Sequence, residues 1–256
     1  MFTIAYFSPT GNTLYLARKL EECLAPNKTE LISIADTQST ELKINTHLVI
    51  MYSIHGFNAP QKVEEFAKSI PPYHFESISI IAVGCSKIWI NDGASIKLKN
   101  ILSKKSYSVL IDEVLAMPLT FVMKFPKKLC VSTIEESEKE IKTIADNLIN
   151  SIPNVKLIST KSKMISFIGR AKKHAAKMFG LELYASRKCV SCGKCWNSCP
   201  SNNIKPNKNE KPKFGFKCTM CMKRIYECPQ KAIKSAISRF IPIKGGYSIN
   251  DYIKNK

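Results

Sequence analysis

Negative charge is scarce in one part of this chain. Residues 161–256 hold 4 Asp/Glu against 22 Lys/Arg, a net of +18, whereas residues 1–160 hold 16 against 17 and stand near neutral at +1. Such asymmetry marks two domains with different partners, and 256 residues suffice for two units with cores of their own. Long apolar runs are missing too: none approaches the ~18 residues of a membrane span. Met1-Phe2-Thr3-Ile4 leads directly into an apolar strand without a signal-peptide pattern. A soluble, cytoplasmic protein is therefore expected. The chain contains no G-x-G-x-x-G dinucleotide fingerprint. It also shows no nucleic-acid motif, and its lysines are dispersed rather than gathered on one recognition element, so nucleic acid is not the expected partner. A disulfide framework is not expected either, because seven of the ten cysteines fall in one repeat. Cys23, Cys85 and Cys130 are scattered and read as small buried apolar residues.

What is present is that repeat. Its first copy is Cys189-x2-Cys192-x2-Cys195-x3-Cys199-Pro200, and its second is Cys218-x2-Cys221-x2-Arg224-x3-Cys228-Pro229. At this offset Lys194 falls on Lys223, Ile204 on Ile233 and Lys205 on Lys234. The C-x2-C-x2-C-x3-C-P run is the signature of bacterial iron–sulfur ferredoxins, in which the fourth cysteine ligates the other cluster. That rule gives the first centre Cys189, Cys192, Cys195 and Cys228. The second centre receives Cys199, Cys218 and Cys221, with Arg224 in the fourth place. Arginine stays protonated and has no lone pair to donate. An ordinary 4Fe-4S cluster is expected at the first centre. The second is left as empty, three-iron, or four-iron with a non-cysteine ligand. A zinc knuckle on Cys192, Cys195, Cys218 and Cys221 is the alternative, but it leaves Cys189, Cys199, Cys228 and both Cys-Pro pairs without a purpose.

Residues 1–155 alternate apolar runs with helical patterns. Strands are expected at Phe2–Phe7, Glu30–Ile34, His47–Tyr52, Ile78–Gly84 and Ser108–Leu115. Helices are expected near Asn12–Leu24, Gln61–Ser69, Gly93–Leu102 and Ile134–Ile149. This order argues for an α/β, doubly wound parallel sheet with helices on both faces. Glu135, Glu136, Glu138 and Glu140 are expected to crowd the start of the last helix, where the macrodipole favours them.

The turn after the first strand is Ser8-Pro9-Thr10-Gly11-Asn12-Thr13. Hydroxyl and amide side chains at a helix N-terminus suit a phosphate, and Gly11 lets the backbone approach it. Without a Lys, the loop is not an ATP-type site; a monophosphate fits. Here the chain resembles the flavodoxins, whose FMN phosphate loop reads Ser-x-Thr-Gly-Asn-Thr. With the cysteine repeat behind it, the chain resembles the flavodoxin–ferredoxin fusion proteins over about 1–150 and 186–236. That resemblance implies sheet order 2-1-3-4-5, FMN at the carboxyl ends of the strands, and phosphate contacts from Ser8, Thr10, Asn12 and Thr13. The loops Ser53-Ile54-His55-Gly56-Phe57-Asn58 and Cys85-Ser86-Lys87-Ile88-Trp89 would flank the flavin ring, with Phe57 or Trp89 stacking and His55 near its edge. Each aromatic could equally be local packing, and His55 a solvated loop residue. The family's Gly-rich turn after the fourth strand is replaced by Lys87-Ile88-Trp89-Ile90.

Residues 156–184 interleave Lys161, Lys163, Arg170, Lys172, Lys173 and Lys177 with Ile165, Phe167, Ile168, Met178 and Phe179. The expected arrangement docks the apolar face on one domain and solvates the charges; peripheral contact with a membrane surface is the alternative. Residues 185–238 form the iron–sulfur module, and the tail 239–256, with Gly245-Gly246, reads as loosely ordered. The combined reading is an electron-transfer iron–sulfur flavoprotein served by an acidic redox protein. Two alternatives remain: an FMN-dependent reductase of a small molecule, and a basic binding module with structural clusters.

Overall fold

The computed structural model describes residues 1–37, 39, 42–44 and 46–253, with the backbone alone for 170–173. Its first part is a parallel sheet of β1 (Phe2–Phe7), β2 (Thr29–Ser33), β3 (His47–Ser53), β4 (Ser77–Gly84), β5 (Val109–Ala116) and β6 (Asn154–Val155). The strands lie in the order β2-β1-β3-β4-β5-β6, and every neighbouring pair is parallel. The first five strands therefore have the flavodoxin-like order, and β6 adds a two-residue edge beside β5 that local propensity did not reveal. α1 (Asn12–Leu24) and α4 (Lys127–Ile149) cover one face, and α2 (Gln61–Ser69) and α3 (Ile96–Ser103) cover the other. Alternation fills both layers. Phe2, Ile4, Val49 and Met51 pack beneath α1 and α4, while Ala5, Phe7, Leu48 and Ile50 pack beneath α2 and α3. That is why the strands read as unbroken apolar runs.

α4 starts at Lys127, not near Ile134, after Pro126 at its cap, so its first turn holds no acid. The glutamates sit further along and serve other groups: Glu138 accepts a hydrogen bond from the Tyr15 hydroxyl, and Glu140 pairs with Lys87. The macrodipole reading of these acids fails for that reason. The scattered cysteines also differ from expectation. Cys130 is buried, but Cys23 is half-buried and Cys85 exposed.

The second part begins with α5 (Thr160–Leu181), followed by β7 (Leu183–Ala185), α6 (Lys194–Asn197), β8 (Ile204–Pro206), β9 (Pro212–Phe214), α7 (Lys223–Glu227), β10 (Ile233–Ser235) and α8 (Asn250–Ile253). β7 pairs with β10 and β8 with β9, both antiparallel. The repeat is visible in the backbone. α6 and α7 both begin on the lysine of their run, and β8 and β10 begin on the matched isoleucines. Left-handed residues recur in register: Ser191 (φ 54) with Met220 (φ 54), Gly193 (φ 78) with Met222 (φ 60), and Asn202 (φ 49) with Lys231 (φ 46). Side chains other than glycine rarely adopt φ above zero, so both copies hold the same strained loop.

The tail is packed, contrary to expectation. Ile243, Tyr247, Ile249 and Tyr252 are buried in the layer shared by α1 and α4. Gly245 (φ 84) and Gly246 (φ 91) turn the chain so that these residues face the sheet. Among the described residues no helix is long and apolar enough to cross a membrane.

Candidate functional site

The cysteine loops gather their thiols in two groups. Cys195 lies among Cys189, Cys192 and Cys228; burial pushes its thiol up to about 11, and those three thiols add to the rise. Cys218 lies beside Cys221 and Cys199; burial, then those neighbours, pushes it up to about 12. Burial also raises Cys221, with Arg224 opposing. Loading such thiols with metal is coupled to proton release. Cys189, Cys192, Cys195 and Cys228 also line one cavity. Among the described residues no three His, Cys, Asp or Glu converge tightly enough for a single metal ion. A zinc knuckle on Cys192, Cys195, Cys218 and Cys221 would have to draw on both groups, since Cys195 lies with Cys189, Cys192 and Cys228, and Cys218 with Cys221 and Cys199. Backbone amides point at the sulfurs in repeat register: Asn203 N–H donates to Cys199 Sγ at 3.4 Å, and Ala232 N–H to Cys228 Sγ at 3.3 Å. Met220 N–H adds a donor to Cys218 Sγ at 3.3 Å. Such donors raise cluster potentials.

Arg224 is 6% exposed. Its Nη1 donates to the Lys194 carbonyl at 3.2 Å and to Ser198 Oγ, and pairs with Glu227 at 3.0 Å. Ser198 and Glu227 are repeat mates, so each copy contributes one anchor for this guanidinium. Nε and Nη2 are sealed from solvent and make no hydrogen bond. The side chain lines the cavity bounded by Cys189, Cys192, Cys195, Cys228 and Trp196, and it also acts electrostatically on Cys221. Its charge stands between the two thiol groups.

The other half of the site lies at the carboxyl ends of β1, β3 and β4. Gly11 caps α1 with φ 95, and Ser8 Oγ accepts from Leu14 N–H at 2.9 Å. Asn12 is held on both sides: Nδ2 donates to the Pro118 carbonyl at 2.9 Å, and Oδ1 accepts from the Tyr247 hydroxyl at 2.5 Å. Ser8 and Asn12 therefore brace the loop with their side chains. Thr10 is half-buried, and Thr13 is buried with its hydroxyl unpartnered. After β3, His55 is half-buried rather than solvated. Burial pushes its pKa down to about 4, although the Thr219 backbone favours the proton. Its Nε2 meets Ser53 Oγ at 3.2 Å, and its ring lies edge-on to Phe7 at 6.0 Å. Nδ1 is sealed and makes no hydrogen bond. Gly56 (φ 57) and Phe57 (φ 63) turn the loop. After β4, Ser86 Oγ is likewise buried and unpartnered, while Trp89 is half exposed.

Several residues that shape these loops were not singled out from the sequence. Ser166 exchanges hydrogen bonds with Asn58, and Ser162 Oγ donates to the Trp89 carbonyl at 2.9 Å. A Cβ at Gly169 would lie 2.1 Å from the Gly56 carbonyl, and one at Gly180 would lie 2.4 Å from Cys218 Cβ. α5 thus docks through small residues, where its apolar face was expected to dock; only small side chains let its backbone come this near. Their spacing along 162, 166, 169, 176 and 180 was the available signal. Tyr247 and Ile249 were missed as well. Ile249 Cγ2 lies 3.1 Å from where a Cβ at Gly11 would stand.

Residues 182–229 match the family model described as a 4Fe-4S dicluster domain. Comparison with the curated proteins finds no match. Among solved structures, Bacillus cereus flavodoxin 2 is similar at 15% identity, over 59% of this chain and 99% of its own, with a TM-score of 0.44. A Fusobacterium nucleatum flavodoxin bound to flavin mononucleotide is similar at 10% identity, over 59% of this chain and 98% of its own, with a TM-score of 0.41. Likenesses this loose carry no functional weight, and the fold rests on its strand order. The chain joins a flavodoxin-like doubly wound sheet to a 4Fe-4S dicluster module.

Proposed function

We propose that the chain is an electron-transfer iron–sulfur flavoprotein that holds FMN at the carboxyl ends of β1, β3 and β4. One observation carries the flavin. Thr13 Oγ1 at the start of α1, His55 Nδ1 after β3 and Ser86 Oγ after β4 are buried polar atoms without partners, and the strands they follow, β1, β3 and β4, are adjacent in the sheet. Leaving such atoms unsatisfied costs about 1–3 kcal/mol each, which a polar ligand would recover. Thr13 and the free amides at the start of α1 fit the phosphate. When bound, the clusters supply single-electron steps and FMN joins these to two-electron chemistry. The residues around them do the rest. Cys189, Cys192, Cys195 and Cys228 hold one 4Fe-4S centre, and Cys199, Cys218 and Cys221 hold a second. His55 stays neutral at physiological pH, and its contact with Thr219 ties the ring-flanking loop to the Cys218–Cys221 loop. That contact supports placing the second centre nearer the flavin.

Thr13→Val tests the flavin site. Loss of a charge-assisted hydrogen bond to phosphate removes about 1.5–3 kcal/mol, so FMN affinity should fall roughly tenfold to a hundredfold. Unchanged affinity would contradict the assignment. The net +18 of residues 161–256 supports an acidic protein as electron donor or acceptor. The rate of exchange with such a protein should fall as salt shortens the screening length towards about 8 Å.

A further inference from the structure

α5 is docked with its small residues inward and its large apolar residues outward. Ser162, Ser166, Ala176 and Gly180 are buried, whereas Met164 is 58%, Ile168 52% and Met178 61% exposed. Phe167 and Leu181 are also more than half exposed. At 100° per residue these five fall in one stripe, opposite the docked one. The stripe has basic shoulders, with exposed Lys161 on one side and exposed Lys163 on the other; Lys177, on the side of Lys163, stands over the Phe216 ring at 5.3 Å. No Asp or Glu occurs between Thr160 and Leu181. The first acid beyond, Glu182, is occupied by Ser235 and by the amides of Ile237 and Ser238. Beyond the C-terminal end of the helix Ile237, whose amide donates to Glu182, is 81% exposed.

Exposed apolar residues that share one face at both ends of α5 mark a binding face. We propose that it docks on an anionic lipid bilayer, with α5 lying in the interface plane. A helix of 22 residues is about 33 Å long, and its geometry suits the headgroup boundary. The apolar stripe enters the acyl margin while lysine stems run along it and lift their charges to the lipid phosphates. A second copy of this chain fits poorly, because facing stripes would bring basic shoulders together with no acid on either helix. The attachment is peripheral, since none of the described helices can span.

Flotation of the full, cofactor-loaded chain with vesicles tests this. Phosphatidylglycerol vesicles should carry the protein, phosphatidylcholine vesicles should not, and raised salt should weaken the binding. The triple variant Met164→Ser, Ile168→Ser, Met178→Ser changes exposed positions only. It should keep its visible absorption and bind phosphatidylglycerol at least about tenfold more weakly. Lys161→Glu with Lys163→Glu should weaken binding without any change in apolar surface. No flotation with phosphatidylglycerol would overturn the proposal, as would flotation untouched by the triple variant. A lipid-free dimer abolished by that variant would also overturn it, by assigning the face to a second copy.

Discussion

The two cysteine runs share a backbone and differ in one ligand. Ser191 and Met220, Gly193 and Met222, and Asn202 and Lys231 take the same left-handed conformations, and the amides aimed at Cys199 and Cys228 occupy matched positions. Yet Cys195 completes a set of four thiols, while its mate Arg224 completes nothing. The loop conformation therefore does not depend on the third thiolate. Arg224 keeps the structure closed by other means, with Ser198, Glu227 and the Lys194 carbonyl gripping one nitrogen of its guanidinium. The unpartnered Nε and Nη2 remain as donors beside the two sulfur-rich sites. A fixed cation there favours electron-rich states of the neighbouring centres and raises their potentials.

The largest effect should come from making the first run resemble the second. Cys195→Ala should cost the first centre, with a loss of about four irons per chain. A full iron content in that variant would mean that three thiols suffice at either site. The reverse change, Arg224→Cys, should add iron or convert the second centre to a reducible four-iron cluster, with a lower potential once the cation is gone. If electron paramagnetic resonance shows neither, the ligand pairing between the runs is wrong. The smallest effect belongs to Ser198→Ala, which frees one anchor of Arg224 and leaves every thiol in place. Iron should be unchanged and a cluster potential lowered by on the order of tens of mV. An unshifted potential would separate the guanidinium from the tuning of the centres.

This asymmetry was legible in the sequence because thiolate spacing is a local signal. So were the strands: the expected His47–Tyr52 and Ser108–Leu115 are observed at His47–Ser53 and Val109–Ala116. What escaped depends on contacts distant in sequence. Nothing near Tyr247 announces that its hydroxyl reaches Asn12, 235 residues away. Likewise, nothing near His55 announces that the Thr219 backbone acts on its ring. For α5, amphipathicity says which face is apolar, not which face is covered. Small residues at 162, 166, 169 and 180 set the docking side by allowing backbones to approach. In α4 the acids at 135–140 imitate a helix start, while the true start follows Pro126.

The central claim is a single chain carrying FMN and two unlike iron–sulfur centres. The most direct test is to purify the full chain anaerobically and count iron, acid-labile sulfide and FMN on one sample. The account predicts about one FMN with roughly seven or eight irons per chain, according to whether the second centre holds three or four. Iron without flavin, or no more than about four irons, would contradict it.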